Sequence, residues 1–290
     1  FKLKHMFKKI SIIGPGLIGA SIAMAISEKS LAGQVKVWAR SEGARKKCQG
    51  LSWADSVHAS IEEAVKDCEL VVICTPVDTI NSLFSEILPH LNPNTLITDV
   101  GSVKSIICEE AHSIAKGSKS HFIGSHPMAG SEKAGMQYAE AELLKGATCI
   151  LTPTEGTPEE LQKKLKAFWE GIGMHPFSME ASTHDTLVAK VSHLPHIVAS
   201  TLAASLEGLD PYLFKFSGRG LKDTTRIAGG NAQLWESILS QNSAAILNSI
   251  DAFESVLSTI KTSLKSKDTA TIHKILERGQ VTRSAIEQSN

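Results

Sequence analysis

The sequence lacks a net charge, a long apolar run, a cysteine pair at metal-binding spacing and any internal repeat. Lys+Arg 30 balances Asp+Glu 30, so no overall field recruits nucleic acid or an anionic membrane, though a local basic patch remains free to bind a small anion. No stretch approaches the roughly 20 apolar residues that a membrane span requires. The basic start, Lys2 to His5, runs straight into a strand-like segment and does not read as a secretory signal. Cys48, Cys68, Cys74, Cys108 and Cys149 are odd in number and scattered without CxxC spacing. That argues against a disulfide framework or a zinc site and leads us to expect a reducing, cytoplasmic setting.

What remains is ordinary globular material, 42% hydrophobic and 21% charged over 290 residues, long enough for two hydrophobic cores. The first part alternates short β-branched runs with helical stretches, as a parallel sheet with crossover helices requires. Lys9–Ile13, Gln34–Trp38, Leu70–Cys74, Leu96–Val100, Phe122–Gly124, Thr148–Leu151 and Pro176–Met179 read as strands, and Leu17–Ser27 as a helix. Near-continuous apolarity marks the earlier strands as buried on both faces. After about Ala181 strand-like runs stop and the pattern is helical, which places a domain boundary near Glu180–Ser182. Leu247, Ile250, Phe253, Leu257, Ile260 and Leu264 recur at helical steps and build one apolar face. That face reads as core or, alternatively, as a surface packed against a second subunit.

Gly14-Pro15-Gly16-Leu17-Ile18-Gly19 follows the first strand directly and opens a helix. In that context the glycines permit a tight turn, close approach of backbone to a pyrophosphate, and close helix–strand packing. The helix start offers free N–H groups and partial positive charge to the phosphates. The expected fold is therefore α/β: a Rossmann-like, doubly wound and mostly parallel sheet over 7–180, then an all-helical domain over 181–290. Gly14, Gly16, Leu17, Ile18 and Gly19 are cofactor-binding candidates, with Thr75 and Pro76 just past the third strand. An acidic residue about 20 positions on would bind the ribose hydroxyls of NAD. Trp38-Ala39-Arg40-Ser41 offers none, and Arg40 and Ser41, helped by Arg45, suit a 2′-phosphate instead. The expectation leans to NADP over NAD, with Arg40 stacking on adenine as the alternative.

Three further segments interrupt regular patterns with polar residues. Asp99-Val100-Gly101-Ser102-Val103-Lys104 lies at the carboxyl end of a buried strand, where ligands of doubly wound sheets collect. Ser102 faces that crevice or caps the next helix, and one serine can do both. Gly124-Ser125-His126-Pro127-Met128-Ala129-Gly130-Ser131-Glu132 follows another strand. His126 suits a general base, since imidazole titrates near neutrality, though alone it serves a structural role equally well. Ser192-His193-Leu194-Pro195-His196 lies in the helical half, where Pro195 bends or starts a helix and aims His196. Arg226, ahead of the Gly229-Gly230 break, has the fork geometry to clamp a carboxylate or pairs with Asp223 at the surface.

Taken together, the Gly14–Gly19 fingerprint, Asp99–Lys104, His126–Glu132, Ser192–His196 and Asp223-Thr224-Thr225-Arg226-Ile227-Ala228 resemble the prephenate/arogenate dehydrogenase family of tyrosine biosynthesis. The resemblance spans nearly the whole chain, and its two histidine segments are far more specific than the glycine fingerprint. It implies a cyclohexadienol substrate whose hydroxyl-bearing carbon gives hydride to nicotinamide as carbon dioxide is lost. Aromatisation drives the step, so the resemblance implies no metal. It implies that His126 accepts the hydroxyl proton, that Ser102 orients His126 or that hydroxyl, and that Arg226 binds a substrate carboxylate. His196, Ser192 and Ser131 would line the substrate side chain, and Glu132 would gate access. It further implies a homodimer through the helical domain, with the 247–264 face at the interface. The helical pattern runs close to the last residue, and we expect no appended regulatory or mutase domain.

The chain departs from the family pattern at Arg219 and Leu221, where glycine and phenylalanine are more usual, and its stretch from Ser102 to His126 is long. Two other readings stand beside this one. A β-hydroxyacid dehydrogenase or pyrroline-carboxylate reductase shares the domain plan but places its catalytic group in the helical domain, commonly a lysine, and no such lysine motif is present. A non-catalytic nucleotide sensor on the same scaffold would tolerate loss of His126.

Overall fold

A computed structural model of the chain describes residues 5–129, 133 and 135–288. Strands and helices alternate through the first part. They are β1 (Phe7–Ile13), α1 (Leu17–Glu28), β2 (Ala32–Trp38), α2 (Glu42–Cys48), β3 (Ser56–His58), α3 (Ile61–Val65) and β4 (Leu70–Ile73). Then come α4 (Ile80–Ile87), β5 (Leu96–Asp99), α5 (Ser105–Ile114), β6 (His121–Pro127), β7 (Thr148–Thr152), α6 (Glu159–Ile172) and β8 (His175–Ser178). The strands form one sheet in the order β3-β2-β1-β4-β5-β6-β7-β8. Neighbours are parallel except that β7 runs against β6.

Every residue of β4 and β5 is buried, which is what their unbroken apolar runs require of strands covered on both faces. On one face α1 and α6 bring Ile22, Ile26, Phe168 and Trp169 into the core; on the other α3, α4 and α5 bring Ile61, Phe84 and Ile107. The helix after β1 and the helix after β4 thus lie on opposite faces, and a crevice opens between those two strands at their carboxyl ends. The short β3 has no apolar run to announce it and exists by pairing with β2 at the sheet edge. β6 is longer than its apolar core: pairing of His126 with Ile150 of β7 carries the strand to Pro127. His126 therefore stands inside the end of the strand, where the sequence placed it just beyond.

The helical part begins at α7 (Ala181–Val188), continues through a π turn (Ala189–His193) into α8 (Leu194–Ala204), and adds α9 (Arg219–Thr225) and α10 (Ala232–Gln241). Pro195 lies in the first turn of α8, directly after the π turn. Because α7 packs on α5 and β7, the first compact unit extends to Asn242. The second unit, Ser243–Asn290, contains α11 (Ser243–Ser266) and α12 (Thr269–Gln288). Along α11, Leu247, Phe253, Leu257 and Leu264 are exposed, so the apolar stripe read from the sequence is not core within this chain. No helix among the described residues is long and apolar enough to cross a membrane.

Candidate active site

At the crevice between β1 and β4 lies a cavity of about 510 Å³, lined by Gly14, Gly16, Ser41, Lys47, Thr75 and Pro76 among others, within the size range of cofactor sites. The three glycines of the turn do different work. Gly14 has φ +95°, and a Cβ there would stand 2.8 Å from Thr75 Cγ2; one on Gly19 would stand 2.2 Å from the Gly14 carbonyl oxygen. These two are demanded by the turn itself. A Cβ on Gly16 would meet nothing within 4 Å, so that glycine leaves open space at the start of α1, the space that a pyrophosphate would need. Leu17 and Ile18 begin that helix and present its unbonded N–H groups. The donor set fits a dinucleotide.

At the rim of the same cavity, the Ser41 hydroxyl accepts from Ala44 N–H at 3.2 Å and caps α2. Arg40 is exposed beside it. Arg45 Nη1 donates to the carbonyl oxygens of Ala39 and Arg40, each at 2.8 Å. It braces the turn from behind, and Lys47 is the cation that lines the cavity.

β6 is parallel to β5 and so delivers His126 to the same edge as the glycine turn. Its register is held by buried polar contacts. Asp99 accepts from Ser125 N–H at 3.1 Å and Gly101 N–H at 2.8 Å and pairs with the Lys104 ammonium. The Ser125 hydroxyl meets Thr98 Oγ1 at 2.7 Å and accepts from Trp169 Nε1–H at 3.1 Å. Asp99 and Lys104 are fully buried, and a charge survives there only because it is paired and hydrogen-bonded.

His126 Nδ1 lies 2.8 Å from His184 Nε2, and His184 Nδ1 lies 2.8 Å from Asp185 Oδ1. Asp185 also accepts the backbone N–H groups of Lys104 and Ser105 at 2.8 Å each. Burial, and then the neighbouring His184, Lys104 and His193, hold the His126 imidazole well below its ordinary range, with Asp185 opposing. Burial works against ionisation of Asp185, but hydrogen bonds from His184, Ser105 and Lys104 outweigh it and lower its carboxyl. A neutral imidazole therefore sits one hydrogen bond away from the helical part, with its lone pair available near pH 7.

From Asp185 the contacts continue. Asn242 Nδ2 donates to the Asp185 carbonyl oxygen at 2.9 Å and lies 3.2 Å from His193 Nδ1. The His193 ring meets Trp235 edge-on at 6.1 Å, and His196 stacks on Trp235 with centroids 3.6 Å apart. Gly230 backs onto that stack: a Cβ there would stand 2.8 Å from Trp235 Nε1 and 3.2 Å from His196 Cε1. The turn Arg226–Gly229 precedes it and packs on α8. His126 and the Arg226 turn thus belong to one unbroken series of contacts. Burial lowers both His193, to about 4, and His196. His196 Nδ1 and His193 Nε2 are buried without a hydrogen-bond partner among the described residues.

Ser192 is half-buried in the π turn, and Ser102 is half-buried in the loop between β5 and α5. Among the described residues Ser102 makes no side-chain hydrogen bond, and the partner of His126 Nδ1 is His184. Ser131 and Glu132 lie outside the described residues. Arg219 is exposed and Leu221 half-buried, both on α9. His184, Asp185, Trp235, Asn242 and Lys47 were not singled out in the sequence. An adjacent His-Asp pair was the one signal available there.

Residues 22–177 match the family model described as prephenate dehydrogenase, nucleotide-binding domain, and residues 180–278 the one described as prephenate dehydrogenase, dimerization domain. A cyclohexadienyl dehydrogenase from Zymomonas mobilis is 32% identical over 287 residues, 97% of each chain. The crystal structure of a prephenate dehydrogenase from A. aeolicus in complex with hydroxyphenyl propionate and NAD+ superposes with a TM-score of 0.89 at 29% identity, covering 99% of this chain and 100% of that one. A Synechocystis arogenate dehydrogenase superposes with a TM-score of 0.82 at 29% identity, covering 96% and 99%.

Proposed function

The chain belongs to the prephenate dehydrogenase family, and we propose that it converts prephenate to 4-hydroxyphenylpyruvate, or arogenate to tyrosine, by oxidative decarboxylation with NAD(P)+. The observation that carries the reading is the buried His126 imidazole, at the same sheet edge as the glycine turn and joined by contacts to the Arg226 segment. Bound nicotinamide supplies a two-electron acceptor for the hydride from the hydroxyl-bearing carbon. His126 takes the hydroxyl proton as that carbon becomes a ketone, and the ring carboxylate then leaves as carbon dioxide, its bonding pair staying in the ring that becomes aromatic. Arg226 holds a substrate carboxylate by parallel hydrogen bonds. His196, Ser192 and Ser131 line the side chain, Glu132 gates access, and Ser102 orients the substrate hydroxyl and contributes to the cofactor site. The unpartnered Nδ1 of buried His196 supports its part, since such an atom gains most from a ligand bond.

Within this reading the preferred cofactor is NADP. Its support is the absence of an acidic residue from Trp38 to Ser41 and the presence of Arg40, Ser41 and Lys47 at the adenosine end. We place the domain boundary near residue 180, between the two matched spans. We further propose a homodimer through the helical domain, supported by the exposed Leu247, Leu257 and Leu264 of α11 and Leu276 and Val281 of α12. An odd, scattered set of cysteines accords with a cytoplasmic setting. Four assays, prephenate or arogenate against NAD+ or NADP+, test the proposal by formation of reduced nicotinamide. Turnover in at least one is expected; none in any of the four would overturn it.

A further inference from the structure

We propose that His184 and Asp185 are positioning residues that fix neutral His126 as the Nδ1–H tautomer and so leave Nε2 to take the substrate's hydroxyl proton. The inference deepens the reading of His126 as proton acceptor and rests on it. It follows from working inward along a row of hydrogen bonds whose last member is an acceptor only. Asp185 receives the N–H of Lys104 on Oδ1 and the N–H of Ser105 on Oδ2, both at 2.8 Å. Its carboxylate thereby covers the first amides of α5, where negative charge is favoured. An ionised carboxylate has no proton to give, so the 2.8 Å contact with His184 Nδ1 makes that nitrogen the donor.

His184 is 0% exposed, and a neutral imidazole with a proton on Nδ1 carries a lone pair on Nε2. The 2.8 Å contact between that lone pair and His126 Nδ1 then requires His126 Nδ1 to donate. Only Nε2 of His126 is left as an acceptor. The opposite assignment makes His184 a buried cation donating from both nitrogens and places the His126 proton on Nε2, where it blocks the base. During turnover the hydroxyl proton goes to His126 Nε2. The resulting imidazolium keeps its Nδ1–H on His184, with the Asp185 anion next in the row to stabilise it. The logic is that of an orienting carboxylate behind a catalytic histidine, with one more imidazole inserted.

Two measurements test this. In protein labelled with 15N-histidine, with the His126 signals assigned by their loss in His126→Asn, the ring shifts read protonation without any substrate. A protonated Nδ1 and bare Nε2 are expected for both His126 and His184 near pH 7. A proton on Nε2 of His126, or on both nitrogens of His184, overturns the proposal. In kinetics, His184→Phe keeps a planar ring and removes the acceptor; kcat is expected to fall about 10²-fold, the lower end of a general base's contribution, with KM and nucleotide affinity unchanged. His184→Gln, whose amide offers a donor and an acceptor at a spacing like that of the ring nitrogens, should recover most of the loss. Equal impairment in both variants, with KM moving as much as kcat, would reduce His184 to a packing role. Wild-type turnover tests the underlying functional reading separately, because the nitrogen shifts are read on the free protein.

Discussion

His196 lies flat on Trp235, with ring centroids 3.6 Å apart and planes at 11°. His196 is 5% exposed and its Nδ1 has no hydrogen-bond partner among the described residues. The stack fixes the imidazole by its face, and in the proposed reading its unpartnered Nδ1 takes a hydrogen bond from substrate. Trp235→Leu should raise the substrate KM about tenfold, corresponding to an aromatic pair of about 1.4 kcal/mol. Nucleotide affinity should stay the same, because the cavity beside the glycine turn contains neither residue. Steady-state KM for substrate and fluorescence titration with nucleotide check the two halves.

Acid should affect activity and stability in linked ways. As the proposed proton acceptor His126 must be unprotonated, and burial and its charged neighbours lower it well below the ordinary value of 6.5. The acid limb of kcat/KM should therefore fall below pH 6.5, with activity kept as pH drops through that value. For stability, His193 is lowered from 6.5 to about 4. Between those values the unfolded chain binds more protons than the folded one, so stability is full above about pH 6.5 and declines toward pH 4. Melting temperatures across that window should fall steadily with acid; a flat profile would contradict the buried neutral histidines.

The sheet was legible in the sequence because its evidence is local. Leu70–Ile73 and Leu96–Asp99 announce buried strands by composition alone, and Gly14–Gly19 announces a turn between strand and helix. His126 was legible through its segment, but its partner was not. His184 sits in the first half of α7, 58 residues away, and a His-Asp pair on a helix looks the same whether or not the helix docks against β6. The length of β6 was misjudged for a similar reason, since its last residues are strand by virtue of β7. Lys47 and Arg45 could not be ranked either. Which of them turns toward the cavity depends on side-chain paths around a single helical turn.

The glycines of the nucleotide turn separate by what each is for. Gly19→Ala places a Cβ against the Gly14 carbonyl and should lower both melting temperature and nucleotide affinity. Gly16 has φ −74° and open space around it, so Gly16→Ala should melt within a few degrees of wild type, a helix-cap change of about 1 kcal/mol at most. It should still weaken nucleotide binding by filling the approach of the pyrophosphate. Scanning calorimetry and nucleotide titration on the two variants distinguish the roles.

Cofactor preference should respond to charge at the adenosine end. Lys47→Ala and Arg40→Ala should each raise KM for NADP+ about tenfold, the worth of one charge-assisted hydrogen bond to phosphate, with much less effect on NAD+. Equal effects on both cofactors would place these side chains against a group that the two share.

The most direct test is His126→Asn, which keeps a polar group near the Nδ1 position and removes the titratable Nε2. Nucleotide affinity should equal wild type while kcat falls by about 10²–10⁴, as loss of a proton acceptor requires. Near-normal kcat in that variant would contradict it and take the imidazole out of the chemistry.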